Sequence, residues 1–194
     1  MKTDFTFMFL ATIFAVYLSV AQPSYPVGLI EKYDRSSFKH WSDSDRDCQS
    51  TRVEVLIRDA DGPIKLSKDG CKVISGLWID PYTGKTFTNP LEIDIDHYVA
   101  LKNAYDSGAY KWDKKKREQY ANYLGNSYHL IAVSGVENKK KSDKGPDKYL
   151  PPNKSYQCEY VRNWLKIKTD WKLSIPVEEQ KAINKLNCNG KVLP

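Results

Sequence analysis

Two neighbouring residues, Asp96 and His97, offer the chemistry of metal-assisted hydrolysis. A carboxylate is a hard oxygen ligand, and an imidazole titrates near neutral pH and can take a proton from water. They end the stretch 91–97, LEIDIDH, in which Leu91, Ile93 and Ile95 alternate with Glu92, Asp94 and Asp96. That period of two predicts a strand with one face in a core and three carboxylates on the other. Like charges in a row repel unless a cation or a basic partner lies among them. Read by itself, the stretch fits either a metal-binding strand or a solvated acidic face. Asp94 shares the face of Asp96, where it can orient His97 or a ligand of the metal.

Further along, His129 opens a short apolar run, 129–134 (HLIAVS), and Asn138 is followed by Lys139, Lys140, Lys141 and Lys144. A phosphodiesterase needs oxygen ligands for a hard divalent cation, a base for the attacking water and positive charge for phosphate. Asp96, His97, Asn138 and the lysine run supply all three within two short stretches. Each also has a plainer reading: His129 as a core histidine, Asn138 as a helix cap, the lysines as a solvated face. Arg52 and Glu54, upstream, form either a buried pair supporting the site or an exposed pair of little weight.

The elements that must position these groups follow from periodicity. Residues 52–58 read as a strand or short helix and 72–78 as a strand, with a turn at 80–84. After His97 the period becomes helical: Val99, Leu101, Ala104 and Tyr105 share a face, and Ser107-Gly108 ends the run. Asp113 caps a helix over 114–124, 129–134 is a second strand, and 136–144 is a short helix or a loop. Residues 156–168 form a helix burying Val161, Trp164 and Leu165. Ser174 caps a last helix with Pro176 in its first turn and Glu178 and Glu179 near its positive end. The fold class is α+β.

With 194 residues, 41% hydrophobic and 28% charged, the chain is long and apolar enough for one globular domain. A net charge of +6 leans toward anionic partners. Lys2, the largely apolar run 5–20 and the small residues Ser19-Val20-Ala21 read as a signal peptide. The division is therefore 1–21 signal peptide, 22–47 irregular N-terminal arm and a main domain over 48–194. The protein is expected to be secreted, with no stable membrane insertion once the leader is cleaved, since the apolar run is short for a span. An even number of cysteines behind a leader implies disulfides. Of the three pairings of Cys48, Cys71, Cys158 and Cys188, local stapling favours Cys48–Cys71 and Cys158–Cys188. No CxxC pair supports zinc.

Four blocks carry a resemblance: STRVEVLIRD (50–59), WIDPYTGKTFTNPLEIDIDHYVALKNAYDSGAYKW (78–112), HLIAVSGVENKKKSDKGPDKYLPPN (129–153) and YQCEYVRNWLKIK (156–168). Over about 48–188 the chain resembles the secreted branch of the HNH endonucleases, which makes the main domain over 48–194 HNH nuclease-like. The resemblance implies a ββα-metal core, a hairpin followed by a helix with one divalent metal held between them, plus additional helices and disulfide staples. It implies that His97 is the general base and that Asp96 and Asn138 are the metal ligands. His129 matches the middle motif position, which fixes the loop bearing the base; the long insertion after His97 also makes Asn122 or Asn126 eligible for it. Asparagine rather than histidine at the last position favours a hard ion, Mg²⁺ ahead of Mn²⁺. The implied activity is that of a secreted metal-dependent endonuclease cleaving nucleic acid with little sequence specificity, DNA ahead of RNA, with Lys139, Lys140, Lys141 and Lys144 on phosphates. The alternative is a catalytically inactive secreted nucleic-acid-binding or effector module on the same fold.

Overall fold

A computed structural model describes residues 31–186 and Cys188. The expected signal peptide and residues 22–30 of the arm lie outside the described residues. From residue 31 the arm runs through a 3-10 turn at Arg35–Ser37, held by the Asp34 carboxylate accepting from the Ser36 amide at 2.9 Å. The arm is irregular, as expected, yet it contributes to the core: Phe38 is fully buried.

Helix α1 (Thr51–Arg58) resolves the choice between strand and helix for that segment. Two short hairpins follow, β1 (Lys65–Leu66) with β2 (Val73–Ser75) and β3 (Trp78–Ile79) with β4 (Thr86–Phe87). The single strand expected over 72–78 is thus split. The break falls at Gly76, where a Cβ would come within 2.5 Å of the Trp78 indole, so the backbone turns against that ring.

The central strand β5 (Ile93–His97) starts two residues later than its alternation suggested. Pro90–Glu92 forms a 3-10 turn instead, capped by the Asn89 side chain, and Leu91 and Glu92 are exposed. Strand β6 (Leu130–Ser134) pairs antiparallel with β5, Ile93 opposite Ser134 and His97 opposite Leu130. Between them lie α2 (Leu101–Asp106) and α3 (Lys114–Ala121), the latter capped by Asp113. Directly after β6 comes α4 (Gly135–Lys141), then α5 (Gln157–Asp170) and α6 (Val177–Lys185). Ser174 does not cap α6. Its hydroxyl donates to the Ser107 carbonyl, and Pro176 occupies the cap position.

The hairpin β5–β6 separates two apolar clusters. Ile93, Ile95, Leu130 and Ala132 pack with Val55, Leu56 and Trp78 on one side; Tyr98, Val99, Tyr120, Val133, Tyr160 and Trp164 belong to the larger cluster with α2, α5 and α6. Both expected disulfides are formed, Cys48–Cys71 and Cys158–Cys188, with Cα separations of 5.2 and 5.6 Å. No helix among the described residues is long and apolar enough to cross a membrane.

Ser142, just after α4, has φ 53° and ψ −128°, backbone space that glycine tolerates and serine does not. Ser142→Gly is expected to raise stability by about 1 kcal/mol in urea unfolding; an unchanged or lower midpoint contradicts this.

Candidate active site

Strand alternation sends Asp94 and Asp96 to one face of β5 and Ile93, Ile95 and His97 to the other. Helix α4 packs over the carboxylate face. It starts at Gly135, where a Cβ would sit 3.3 Å from the Asp94 carboxylate, so the lack of a side chain lets the helix begin close above it. One turn on, Asn138 Nδ2 donates to Asp94 at 3.2 Å. Another turn on, the fully buried Lys141 donates to Asp96 Oδ1 and to the His97 carbonyl, both at 2.9 Å. Asp96 Oδ2 accepts from the Tyr82 hydroxyl at 2.7 Å. Burial raises the Asp96 pKa, while Lys141 and Tyr82 pull it back down.

His97 points to the other side and is held in its neutral form. Its Nε2 lies 2.9 Å from the Ala121 carbonyl, which can only accept, so Nε2 carries the proton and Nδ1 the lone pair. The ring is stacked between Trp41, at 5.8 Å and 27°, and Tyr120, at 6.2 Å and 11°. Burial first, then the neighbouring His129, pushes its pKa well below the ordinary imidazole value, so it is neutral at physiological pH. The Ala121 carbonyl is itself fixed by the next residue. Asn122 accepts from the Ser42 amide at 2.9 Å and the Thr51 hydroxyl at 3.1 Å, and donates to the Lys39 and Glu118 carbonyls at 2.8 and 2.9 Å.

A cavity of about 440 Å³ opens at this end of β5. It is lined by Asp96, His97 and Asn138, brought together as their spacing suggested, and by Arg35, Lys102 and Lys139. His129 does not line it. That ring is buried against Tyr120, Tyr123 and Trp171, with Nε2 donating to the Tyr120 carbonyl at 2.7 Å. Arg52 and Glu54 do not pair. Arg52 donates to the Pro90 and Ile93 carbonyls at 2.9 and 2.7 Å, fixing the entry to β5, while Glu54 faces Asp43, Asp45 and Asp47. The lysine run divides: Lys139, Lys140 and Lys144 are exposed, whereas Lys141 is interior and unavailable to a polymer. Nothing in the sequence marks Trp41 and Tyr82 as site residues, whereas Asn122, eligible in sequence for the middle position, lies beside the carbonyl that holds His97.

The model of the GmrSD restriction endonucleases, C-terminal domain, matches residues 54–186. The chain belongs to this family. The match covers β5, β6 and α4 and meets the resemblance to HNH endonucleases read from the same blocks. The chain is also 40% identical over 162 residues, 83% of its length and 77% of the relative's, to an uncharacterized secreted protein of Arthroderma benhamiae. No solved structure matches. A GmrSD-type C-terminal domain thus carries an antiparallel pair and a following helix with Asp96 and Asn138 at one cavity; both offer hard oxygen donors, and each Asp96 oxygen keeps a lone pair beyond its one hydrogen bond. This donor set fits a hard divalent ion that keeps most of its ligands as water and phosphate oxygens, with Lys141 lowering the charge Asp96 presents.

Two outcomes follow for the GmrSD-type domain. Lys141→Met leaves Asp96 charged in the interior and should lower unfolding free energy by about 3–5 kcal/mol; a loss under 1 kcal/mol in denaturant titration would show that Asp96 is hydrated. Burial lowers the His129 pKa to about 4. The folded state then stays unprotonated while the unfolded chain takes up a proton below about 6.5. Stability therefore falls as the pH drops from about 6.5; the His129 share levels off near 4, and His97 adds to the same slope. Melting temperatures that are flat over this window would contradict both histidine assignments.

Proposed function

We propose that the protein is a secreted, metal-dependent endonuclease that hydrolyses nucleic-acid phosphodiester bonds with little sequence specificity, DNA ahead of RNA. The observation that carries this reading is the state of His97. A backbone carbonyl holds its Nε2 proton, two aromatic rings fix its plane, and it lines a cavity together with Asn138 and Asp96. A neutral imidazole so held is a base in search of a proton. The family supports a nuclease-related activity. The two disulfides and the secreted relative support an extracellular setting.

In this mechanism His97 Nδ1 removes a proton from water, and the water oxygen attacks phosphorus in line with the leaving 3′ oxygen. The bond between phosphorus and that oxygen breaks, and the leaving oxygen is protonated from solvent. Asn122 keeps the Ala121 carbonyl in place, and with it the tautomer that leaves Nδ1 free. Asp96 and Asn138 would hold the divalent ion, Mg²⁺ by their donor type, and when bound it supplies charge neutralisation at the phosphate. Asp94 orients Asn138. Lys139, Lys140 and Lys144 add salt-sensitive affinity for the polymer backbone.

One observation favours a second reading. Both Asp96 oxygens are already hydrogen-bonded, one of them to an ammonium, as in a chain that kept the fold and lost its metal. That chain would bind nucleic acid without cutting it.

Plasmid DNA and total RNA incubated with Mg²⁺, with Mn²⁺ and with EDTA separate the two. The expected result is cleavage that needs metal and that drops on the order of 10²- to 10⁴-fold in His97→Gln, with an unchanged circular dichroism spectrum. Cleavage by His97→Gln at the normal rate would sink the mechanism, and retention of nucleic acid with no cleavage in either metal would favour the binding module.

A further inference from the structure

The cavity at the end of β5 holds more positive charge than the motif residues account for. Arg35 reaches it from the arm, Lys102 from α2 and Lys139 from α4. Three lysines in and around the cavity are neutralised. Lys102 pairs with Asp106 at 2.5 Å, Lys140 with Glu137 at 3.0 Å and Lys141 with Asp96 at 2.9 Å. Among the described residues, Arg35 and Lys139 have no carboxylate within ion-pair distance. The nearest acid in sequence, Asp34, turns its carboxylate to Ser36 instead, where it caps the 3-10 turn that carries Arg35. The group beside the guanidinium is the neutral Tyr33 phenol.

That turn is fastened on both sides. Tyr33 packs edge-on against Tyr105 with ring centroids 5.5 Å apart, and Phe38 is fully buried against Tyr105 and Tyr120. Three residues past Phe38, Trp41 lies on the His97 ring. The arm is therefore nailed down at three aromatics, and between the first two it delivers one unneutralised arginine to the mouth of the cavity. The lining also holds two carboxylates, but each has a lysine beside it: Asp96 has Lys141 at 2.9 Å and Asp143 has Lys102 at 4.0 Å. The two unpaired cations on opposite elements, α4 and the arm, with a neutral imidazole and a carboxamide between them, are left to form a seat for an anion. A guanidinium grips two oxygens of one phosphate in its planar fork, which an ammonium cannot do.

We propose that Arg35 and Lys139 clasp the scissile phosphodiester over His97, so that the arm, which lies outside the family match of residues 54–186, forms part of the substrate site. The proposal rests on the nuclease reading for the name of its ligand, but the binding of a phosphodiester tests it without catalysis. Arg35 gives the phosphate its orientation, and Lys139 adds a second point charge from the helix that carries Asn138.

The test uses the secreted, oxidised protein with Arg35→Ala, Arg35→Lys and Lys139→Ala, and with Lys39→Ala as the control. Lys39 lies on the same arm; its side chain pairs with Glu118 and does not line the cavity, and the substitution keeps the backbone carbonyl that holds Asn122. Two quantities are read for each: the affinity for a thymidine dinucleotide by NMR titration, and kcat/KM on a labelled oligonucleotide with Mg²⁺. Arg35→Ala is expected to lower kcat/KM on the order of 10²-fold and to weaken dinucleotide binding, with Arg35→Lys recovering only part of either. Lys139→Ala should fall in between, and Lys39→Ala should stay within about twofold, as expected of screened surface charge. Arg35→Ala that binds and cleaves like Lys39→Ala overturns the proposal while leaving the nuclease reading intact. If the wild type cleaves nothing, the nuclease reading fails and binding still decides: Arg35-dependent capture of the dinucleotide supports the clasp, and Arg35-independent capture, or none, overturns it.

Discussion

A carboxylate taken out of water at the end of a strand must be neutralised, and the way Asp96 is neutralised orders the elements around it. Its two oxygens reach in different directions, one to Lys141 on α4 and one to Tyr82 in the turn between β3 and β4. Lys141 also binds the carbonyl of His97, so a single ammonium ties the last residues of β5 to the last turn of α4. Such a pair adds little net stability over an apolar packing of the same volume, because two charges had to be desolvated to form it. Its effect is on specificity: a helix shifted by one residue along the hairpin would leave both charges buried and unpaired. The angle and depth of α4, and with them the position of Asn138, are set by that constraint.

The opposite face of β5 is governed by a different demand. His97 follows Ile93 and Ile95 into an apolar setting, where an imidazolium would be costly, so the ring stays neutral and needs a partner for its one N–H. The Ala121 carbonyl provides it from the far end of the inserted helices, and Asn122 anchors that carbonyl through four hydrogen bonds to α3, α1 and the arm. The long insertion between β5 and β6 is thus more than a tolerated loop. It returns to the hairpin at the point where the histidine tautomer is chosen. Asp96 and His97 are adjacent in sequence but answer to separate supports, one through α4 and the other through α3.

Much of this was legible in the chain because it is local. The alternation of 91–97, the apolar run 129–134, the Asp113 cap and the two cysteine pairs each depend on residues near one another, and each produced its element. What sequence could not carry was which side chains cross between elements. Lys141 looks like its neighbours Lys139 and Lys140; only the helical phase of α4, fixed after α4 docks on β5, turns it inward. Arg52 looked like a partner for Glu54 at the spacing of one strand face, but the segment is helical, and in a helix residues two apart do not face each other. His129 carried the right chemistry for a site, yet strand register puts it opposite Tyr98, one step beyond the paired end of the hairpin, and inside the aromatic cluster.

The arm brings to the cavity what the matched domain does not contain. The matched family region begins at residue 54, after every residue of the arm. Yet His97 is stacked on Trp41, the loop that sets its tautomer is tied to Ser42 and Lys39, and a cavity-lining cation is Arg35. An irregular segment can hold such positions only if it is fixed at several points, and this one is fixed by buried aromatic rings, by Asn122, and near its end by the Cys48–Cys71 bridge. The disulfide lies where the arm passes into α1, so an oxidising environment does more than add stability. It closes the loop 48–71 and so fixes the point from which the arm leaves α1.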